Sequence, residues 1–306
     1  MRNFFTTVFG GLAVVGIFMI LVSVIGPIVQ NISSWTGHAA DFSDSGWARV
    51  IRFSALEEED PLESAVLSIS DGSLAKMTAE AYTIRDLTTS KTIVTKNVDQ
   101  LRPMASLTKL VTAVVARKLI LPNERVTITN EVLATYGNTA GLKNGETFQA
   151  EDLQYPLLMV SSNDAAEALA RSYGRRNFIK AMNEFTQSIG AYRTYMVDPS
   201  GLSPKNVSTA NDLTIILDWI RKNDPSVLQM TTLKSKTIRD HSWINPTHFL
   251  SWSDYIGGKN GYLPESDRTS ASLFSLGDNK HVYAIVLLGS ETRDADWVRL
   301  VRQVTK

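Results

Sequence analysis

The stretch Ser106–Ile120, SLTKLVTAVVARKLI, decides how the rest of the chain is read. Its apolar residues cover most sides of a helix, so the pattern predicts a central, buried helix rather than an amphipathic surface one. Pro103 stands just ahead of it, a good place to break the preceding structure. On such a helix Ser106 and Lys109, three residues apart, share one face. The N-terminal N–H groups and the helix dipole favour negative charge beside the serine. A lysine acts as a base only when burial or a nearby cation lowers its pKa. A neutral Lys109 could then take the Ser106 proton and free its oxygen to attack.

Ahead of this helix, SAVLSIS, AEAYTIRD and KTIVTKN read as short strands. Between 140 and 250 the period is mostly helical, in AEDLQYPLLMV, NDAAEALARSY, RNFIKAMNEFTQSIG and STANDLTIILDWIRKN. Gly174 and Gly190 end two of these segments, and Ser208 is expected to cap the last, with Asp212 in its first turn. TSASLFSLG and HVYAIVLLG flank a polar turn at Asp278-Asn279 and read as a hairpin, and RDADWVRLVRQV reads as a closing helix. This order predicts an α/β (α+β) fold: an antiparallel sheet flanked by helices, with a mostly helical insertion between its two halves.

The N-terminus is a different material. From Phe4 to Val29 there is no charged residue, and about 20 apolar residues suffice to span a bilayer. The run is longer than a secretory h-region of about 7–15 residues. Residues 1–30 are therefore expected to form a retained transmembrane signal-anchor rather than a cleaved peptide. Arg2 and the α-amine put the N-terminus in the cytoplasm and the remainder outside. Residues 31–63, with Asp41, Asp44 and the run Glu57-Glu58-Glu59-Asp60, read as an acidic juxtamembrane tether. Trp35, Trp47 and Phe53 are its apolar exceptions, suited to the membrane interface or to packing on the domain. Residues 64–306 are expected to form the catalytic domain. The 31 basic and 31 acidic side chains of the 306 residues cancel, which argues against a general nucleic-acid binder. There is no cysteine, which excludes disulfides, thiolate metal sites and cysteine nucleophiles. The four histidines have no metal-ligand spacing, and no cofactor is expected.

An isolated S-x-x-K is a weak signal, and it recurs at Ser73-Leu74-Ala75-Lys76, in a region read as solvated loop. Two further motifs give the first copy its context. Ser161-Ser162-Asn163 joins two helical segments, where Ser162 or Asn163 would by itself serve as a helix cap. Lys259-Asn260-Gly261 follows Gly257-Gly258 just ahead of the hairpin; a second K-N-G, Lys143-Asn144-Gly145, reads as a simple turn. The order S-x-x-K, S-x-N, K-x-G resembles the motif set of penicillin-binding proteins and serine β-lactamases. The stretches RPMASLTKLVTAVVA, GLKNGETFQAEDLQYPLLMVSSNDAAEALA, VDPSGLS and STANDL narrow the resemblance. They are similar to the low-molecular-weight serine D-alanyl-D-alanine carboxypeptidases, peptidase family S11, from about Ala79 to the C-terminus.

The resemblance implies a β-lactamase-like fold and a set of roles. Ser106 would be the acylating nucleophile and Lys109 its base. Ser161 would relay a proton to the leaving amine, and Asn163 would hydrogen-bond the substrate peptide. Lys259 would hold positive charge in the site, keeping Lys109 neutral and attracting the substrate carboxylate. Backbone N–H groups of Ser106 and Tyr262 would form the oxyanion hole. Gly261 would make room for close substrate approach, and Arg293 would help bind the terminal carboxylate. The implied partners are peptidoglycan stem peptides, β-lactam antibiotics as acylating inhibitors, and the membrane. Relatives with a C-terminal β-domain exist; none is expected after the closing helix here. A D,D-endopeptidase, a β-lactamase and a weakened penicillin-binding protein stay open as alternatives. Against the β-lactamase, neither Glu167 nor Glu184 lies in the E-x-x-L-N context of one large class.

The sequence departs from the family at Asn260, where threonine is usual, and lacks the usual Thr-x-x-Ala-Gly after it. Asn260 can donate through its amide, but it is longer than threonine and suits a strand less well. Release of D-alanine is therefore expected to be slower than in threonine-bearing relatives. Asn260→Thr should raise turnover on a D-Ala-D-Ala peptide, measured as free D-alanine; unchanged or lower turnover would sink this expectation.

Overall fold

The computed structural model describes residues 73–137, 139–277 and 281–305. The expected anchor, tether and first strand, SAVLSIS, lie outside the described residues. Among the described residues no helix is long and apolar enough to cross a membrane.

After a single 3-10 turn at Ser73–Lys76 the chain forms β1 (Ala81–Asp86), β2 (Thr92–Lys96) and the two-residue β3 (Arg102–Pro103). A second 3-10 turn, Ala105–Leu107, leads into α1 (Thr108–Leu119). The insertion then runs through β4 (Arg125–Thr127), α2 (Asn130–Leu133), β5 (Thr147–Gln149), α3 (Ala150–Met159), α4 (Asn163–Ser172) and α5 (Arg175–Ser188). It continues through β6 (Val207–Ser208), α6 (Ala210–Asn223), α7 (Ser226–Thr231), β7 (Ser235–Ile238) and β8 (His241–Ile244). The chain closes with β9 (Tyr255–Leu263), β10 (Asp267–Leu276), β11 (His281–Ser290) and α8 (Arg293–Val301). Five strands form one antiparallel sheet in the order β2-β1-β11-β10-β9. The two ends of the described chain thus complete one sheet around the insertion.

Strand alternation divides the core in two. Ala271, Leu273, Ala284, Val286 and Leu288 face the insertion and join the larger core with α1 and α3–α7. Phe274, Leu276, Ile285 and Leu287 face the other way, against Trp297, Leu300 and Val301 of α8. Phe274 and Phe249 meet the Trp297 ring at centroid distances of 5.3 and 4.8 Å. Every residue of α1 from Thr108 to Ala116 is buried, which explains why its sequence has no polar face.

Several expectations are corrected by long-range contacts. Thr209, not Ser208, caps α6, its side chain accepting from the Asp212 N–H at 3.0 Å. Ser208 belongs to β6, paired with Arg102, and its hydroxyl meets that of Thr194 at 2.8 Å. Lys259-Asn260-Gly261 is not a connection ahead of the hairpin but the interior of edge strand β9, in register with Thr269–Ala271 of β10. The Ser73–Lys76 copy of S-x-x-K is a 3-10 turn whose Leu74 packs on the α8-side core, not a free loop. The mostly helical region also holds the β7–β8 hairpin, whose buried Trp243 donates its indole N–H to the Ala140 carbonyl at 3.0 Å.

Candidate active site

Ser106 lies in the 3-10 turn immediately before α1, one turn from Lys109. Ala105, which precedes it, adopts a left-handed φ of 48°, a strained setting for a residue with a Cβ. The surroundings hold the turn in place. Thr108 Oγ1 donates to the Ala105 carbonyl at 2.8 Å, and Asn206 Nδ2 donates to Thr108 Oγ1 at 3.1 Å. The Met104 N–H donates to the Asn206 carbonyl at 2.9 Å. From the other side β9 presses directly on the turn: a Cβ on Gly261 would stand 2.8 Å from the Ser106 nitrogen. Only glycine permits that approach, and it brings the N–H-bearing backbone of Ser106 beside the strand that carries Tyr262.

Lys109 is completely buried, with three oxygens around its Nζ: Ser106 Oγ at 3.0 Å, Asn163 Oδ1 at 2.7 Å and the Ser200 carbonyl at 2.5 Å. Burial drives its pKa well below the ordinary lysine value; the charge of Lys259 lowers it further, and Asp198 opposes the shift. A neutral amine has two hydrogens and one lone pair. The Asn163 and Ser200 oxygens can only accept, so they take the two hydrogens and turn the lone pair toward Ser106, whose hydroxyl can donate. This is the geometry of a general base on its nucleophile.

Each second partner is itself held. Asn163 opens α4, capped by Ser162, whose hydroxyl accepts from the Ala165 N–H at 3.1 Å. Asn163 Nδ2 donates to the Tyr136 carbonyl at 2.8 Å, which points its oxygen at Lys109. The loop Val197–Ser203 presents the Ser200 carbonyl. The Asp198 carboxylate accepts from the N–H groups of Ser200, Gly201 and Ser203 at 2.7–2.8 Å, closing the loop on itself. Thr112 Oγ1 donates to the Pro199 carbonyl at 2.6 Å and ties the loop to α1. A Cβ on Gly201, at φ +83°, would fall 2.0 Å from the Ala105 carbonyl oxygen. Sequence reasoning assigned no role to Asp198, Ser200 or Asn206. The Asp-Pro-Ser-Gly run signals a turn, but nothing local says where its carbonyls point.

Ser161 joins α3 to α4 at a left-handed φ of 60°, and its hydroxyl makes no hydrogen bond to another described residue. Lys259 is buried on the face of β9 that looks toward the insertion. Its Nζ donates to the Asn260 carbonyl at 2.8 Å. Burial and the nearby charge of Arg293 bring its pKa down to about 7. Arg293 begins α8 and pairs with Asp294 at 3.0 Å. Tyr262 is 59 % exposed, its ring under the Arg268 guanidinium at 5.6 Å.

The structure thus brings together, on one antiparallel α+β scaffold, a serine, a buried lysine whose pKa is lowered by burial, an asparagine from the next helix and a lysine on the facing strand. That constellation defines the penicillin-binding-protein class of serine acyl-transfer enzymes. Similarity to known proteins narrows it. The chain belongs to the D-alanyl-D-alanine carboxypeptidase family, peptidase S11, whose sequence profile matches residues 69–290. It is 34 % identical over 236 residues to the D-alanyl-D-alanine endopeptidase of Escherichia coli, covering 71 % of this chain and 74 % of that one. A D-alanyl-D-alanine carboxypeptidase structure from Mycobacterium tuberculosis superposes with a TM-score of 0.68 at 26 % identity, over 74 % of this chain and 91 % of that one. A mutant form of the Streptomyces K15 DD-transpeptidase superposes with a TM-score of 0.66 at 27 % identity, over 74 % and 96 %.

Asp164, next to Asn163, is fully buried and neither carboxyl oxygen finds a hydrogen-bond partner among the described residues. Burial pushes its pKa from 3.8 to about 6. A raised folded-state pKa means stability that is full below pH 4 and lost as pH climbs through 6. Between pH 4 and 7 the stability of Asp164→Asn relative to the native chain should therefore improve by about 2–3 kcal/mol, read from unfolding curves at each pH. A pH-independent difference would count against the buried, ionising carboxyl.

Proposed function

We propose that this chain is a membrane-anchored serine D,D-carboxypeptidase that removes the terminal D-alanine from peptidoglycan pentapeptide stems. In this reading residues 1–30 are the anchor and the catalytic domain faces the extracytoplasmic side. The observation that carries the chemistry is the Lys109 amine held 3.0 Å from Ser106 Oγ by two acceptor-only oxygens.

The reaction runs in two halves. Ser106 Oγ attacks the carbonyl carbon of the penultimate D-alanine while its proton passes to Lys109 Nζ. The N–H groups of Ser106 and Tyr262 take the developing oxyanion, a contribution that is often the largest single term in acyl transfer. The proton taken by Lys109 passes on through the Ser161 hydroxyl, which gives its own to the departing D-alanine nitrogen and is refilled from Lys109 as the C–N bond breaks, leaving Lys109 neutral again. Water then attacks the Ser106 ester, giving up one proton to Lys109, which returns it to Ser106 Oγ as the ester C–O bond breaks, and the shortened stem leaves with its new carboxyl group. Lys259 and Arg293 supply positive charge where the substrate carboxylate binds. A β-lactam would enter the same first half, opening its ring on Ser106.

A D,D-endopeptidase acting on cross-linked stems uses the same machinery, and the similarity to the E. coli endopeptidase favours it as the second reading. Incubation with a fluorescent penicillin, a D-Ala-D-Ala pentapeptide and a cross-linked muropeptide separates the readings. Stable label on Ser106 that vanishes in Ser106→Ala, together with D-alanine release from the pentapeptide, is expected. Cleavage of the cross-link alone would favour the endopeptidase, label without turnover a weakened binder, and rapid loss of label a β-lactamase.

The activity should also carry a pH signature. A lysine ordinarily keeps its proton far above neutrality, but Lys259 loses it near pH 7. Below that pH its charge draws in the substrate carboxylate; above it that attraction fades. The alkaline limb of kcat/KM should therefore fall near pH 7–8, about where Lys259 titrates. Lys259→Arg, which stays charged, should move that limb upward by roughly one unit or more. An unmoved limb would remove Lys259 from this role.

A further inference from the structure

The departure at Asn260 comes with a partner on the neighbouring strand. Asn260 of β9 stands opposite Ser270 of β10. Ser270 is fully buried, and its hydroxyl lies 2.6 Å from Asn260 Oδ1. The hydroxyl donates to the amide oxygen at a separation ordinary for O–H···O. The Nδ2 end points the other way, with Thr247 Oγ1 at 3.4 Å. An amide nitrogen has two hydrogens, and one contact at that length leaves it donor capacity. Strand alternation puts Asn260 and Ser270 on the side of the sheet where Phe274 packs on α8, and Arg293 is the first residue of α8. Lys259 faces the opposite side, but its backbone is continuous with Asn260.

We propose that Ser270 is a positioning residue: its hydroxyl grips Asn260 Oδ1 and so aims the Nδ2–H at the terminal carboxylate of the substrate. Asn260 then completes a carboxylate pocket with Lys259 and Arg293, the amide doing what the threonine hydroxyl does elsewhere in the family. This rests on the D,D-carboxypeptidase reading. Without the Ser270 hydroxyl the amide can rotate, and its oxygen would meet the carboxylate with like partial charge. A threonine at 260 has no amide to aim, so Ser270 matters only while Asn260 is present.

The test is a double-mutant cycle on the full chain. KM and kcat for a D-Ala-D-Ala pentapeptide are measured in the native protein, Ser270→Ala, Ser270→Thr, Asn260→Thr and Asn260→Thr/Ser270→Ala. Saturating fluorescent penicillin, which labels folded enzyme at Ser106, is the folding control. Ser270→Ala should raise KM about tenfold, the scale of one lost hydrogen bond to a charge, with kcat within about twofold. Ser270→Thr, which keeps the hydroxyl, should restore most of the loss. In the Asn260→Thr background the alanine substitution should change KM by less than about twofold, because no amide is left to couple to. An unchanged KM in Ser270→Ala overturns the proposal, as does an equal rise in both backgrounds or a loss confined to kcat. If the native chain takes label but releases no D-alanine, the same comparison is read from the penicillin concentration needed for labelling, since penicillin also carries a carboxylate. A native chain that neither labels nor turns over overturns the D,D-carboxypeptidase reading and the proposal with it.

Discussion

Much of this structure follows from burying one amine. Lys109 sits inside the protein with no exposed surface, and a charged ammonium there would demand compensation that its surroundings do not supply. The neutral form is the one the site favours, and a neutral amine needs acceptors for its hydrogens. They come from two different parts of the insertion: Asn163 at the start of α4 and Ser200 in the loop before β6. The helix that carries the lysine must therefore be surrounded on every side. That accounts for the unbroken burial of Thr108 to Ala116 and for the insertion being wrapped around α1 rather than appended to the sheet. The proposed activation of the serine would be a consequence of the same packing, because the one direction left for a neutral amine's lone pair is toward Ser106.

The cations of the site form a graded series. The charge of Arg293 lowers the pKa of Lys259, and the charge of Lys259 lowers that of Lys109. Arg293 is the most exposed to solvent of the three and Lys109 the deepest. Strand β9 lies across the middle of this series. Its alternation sends Lys259 and Gly261 toward α1 and Asn260 toward α8.

The helical elements around the nucleophile were legible because their signals are local. Ser106–Ile120 is apolar on most sides, and a helix with that pattern has to be central. The strand that completes the site was not legible as a strand. Gly257, Gly258, Asn260 and Gly261 are poor strand formers, and read locally they spell a turn. They are extended because β10 pairs with them, and the glycines are small because Ser272, α7 and the Ser106 turn each press against one of them. The α6 cap shows the same limit on a smaller scale. Ser208 and Thr209 have similar capping chemistry, and the choice between them was made by Arg102, which claims Ser208 for a two-residue ladder formed across the insertion. The loop that feeds Lys109 announces itself as a turn through Asp198-Pro199-Ser200-Gly201, yet its function lies in a carbonyl, which leaves no trace in residue type.

In the proposed reaction the low pKa of Lys259 would give substrate binding a role in activating the serine. Burial and the charge of Arg293 bring the Lys259 pKa down to about 7. A carboxylate arriving between it and Arg293 favours the charged form, since an opposite charge raises a lysine pKa. A fully charged Lys259 in turn holds Lys109 more firmly neutral through the repulsion that already acts between them. In that reading the base would be most completely prepared when the terminal carboxylate is in place. A peptide lacking that group would lose more than binding energy, because it would meet an enzyme whose Lys259 is less often charged. The hydrogen bond from Ser270 to Asn260 belongs to the same proposed logic: it would serve the carboxylate pocket, and through that pocket bear on a proton transfer at Lys109, which it does not touch.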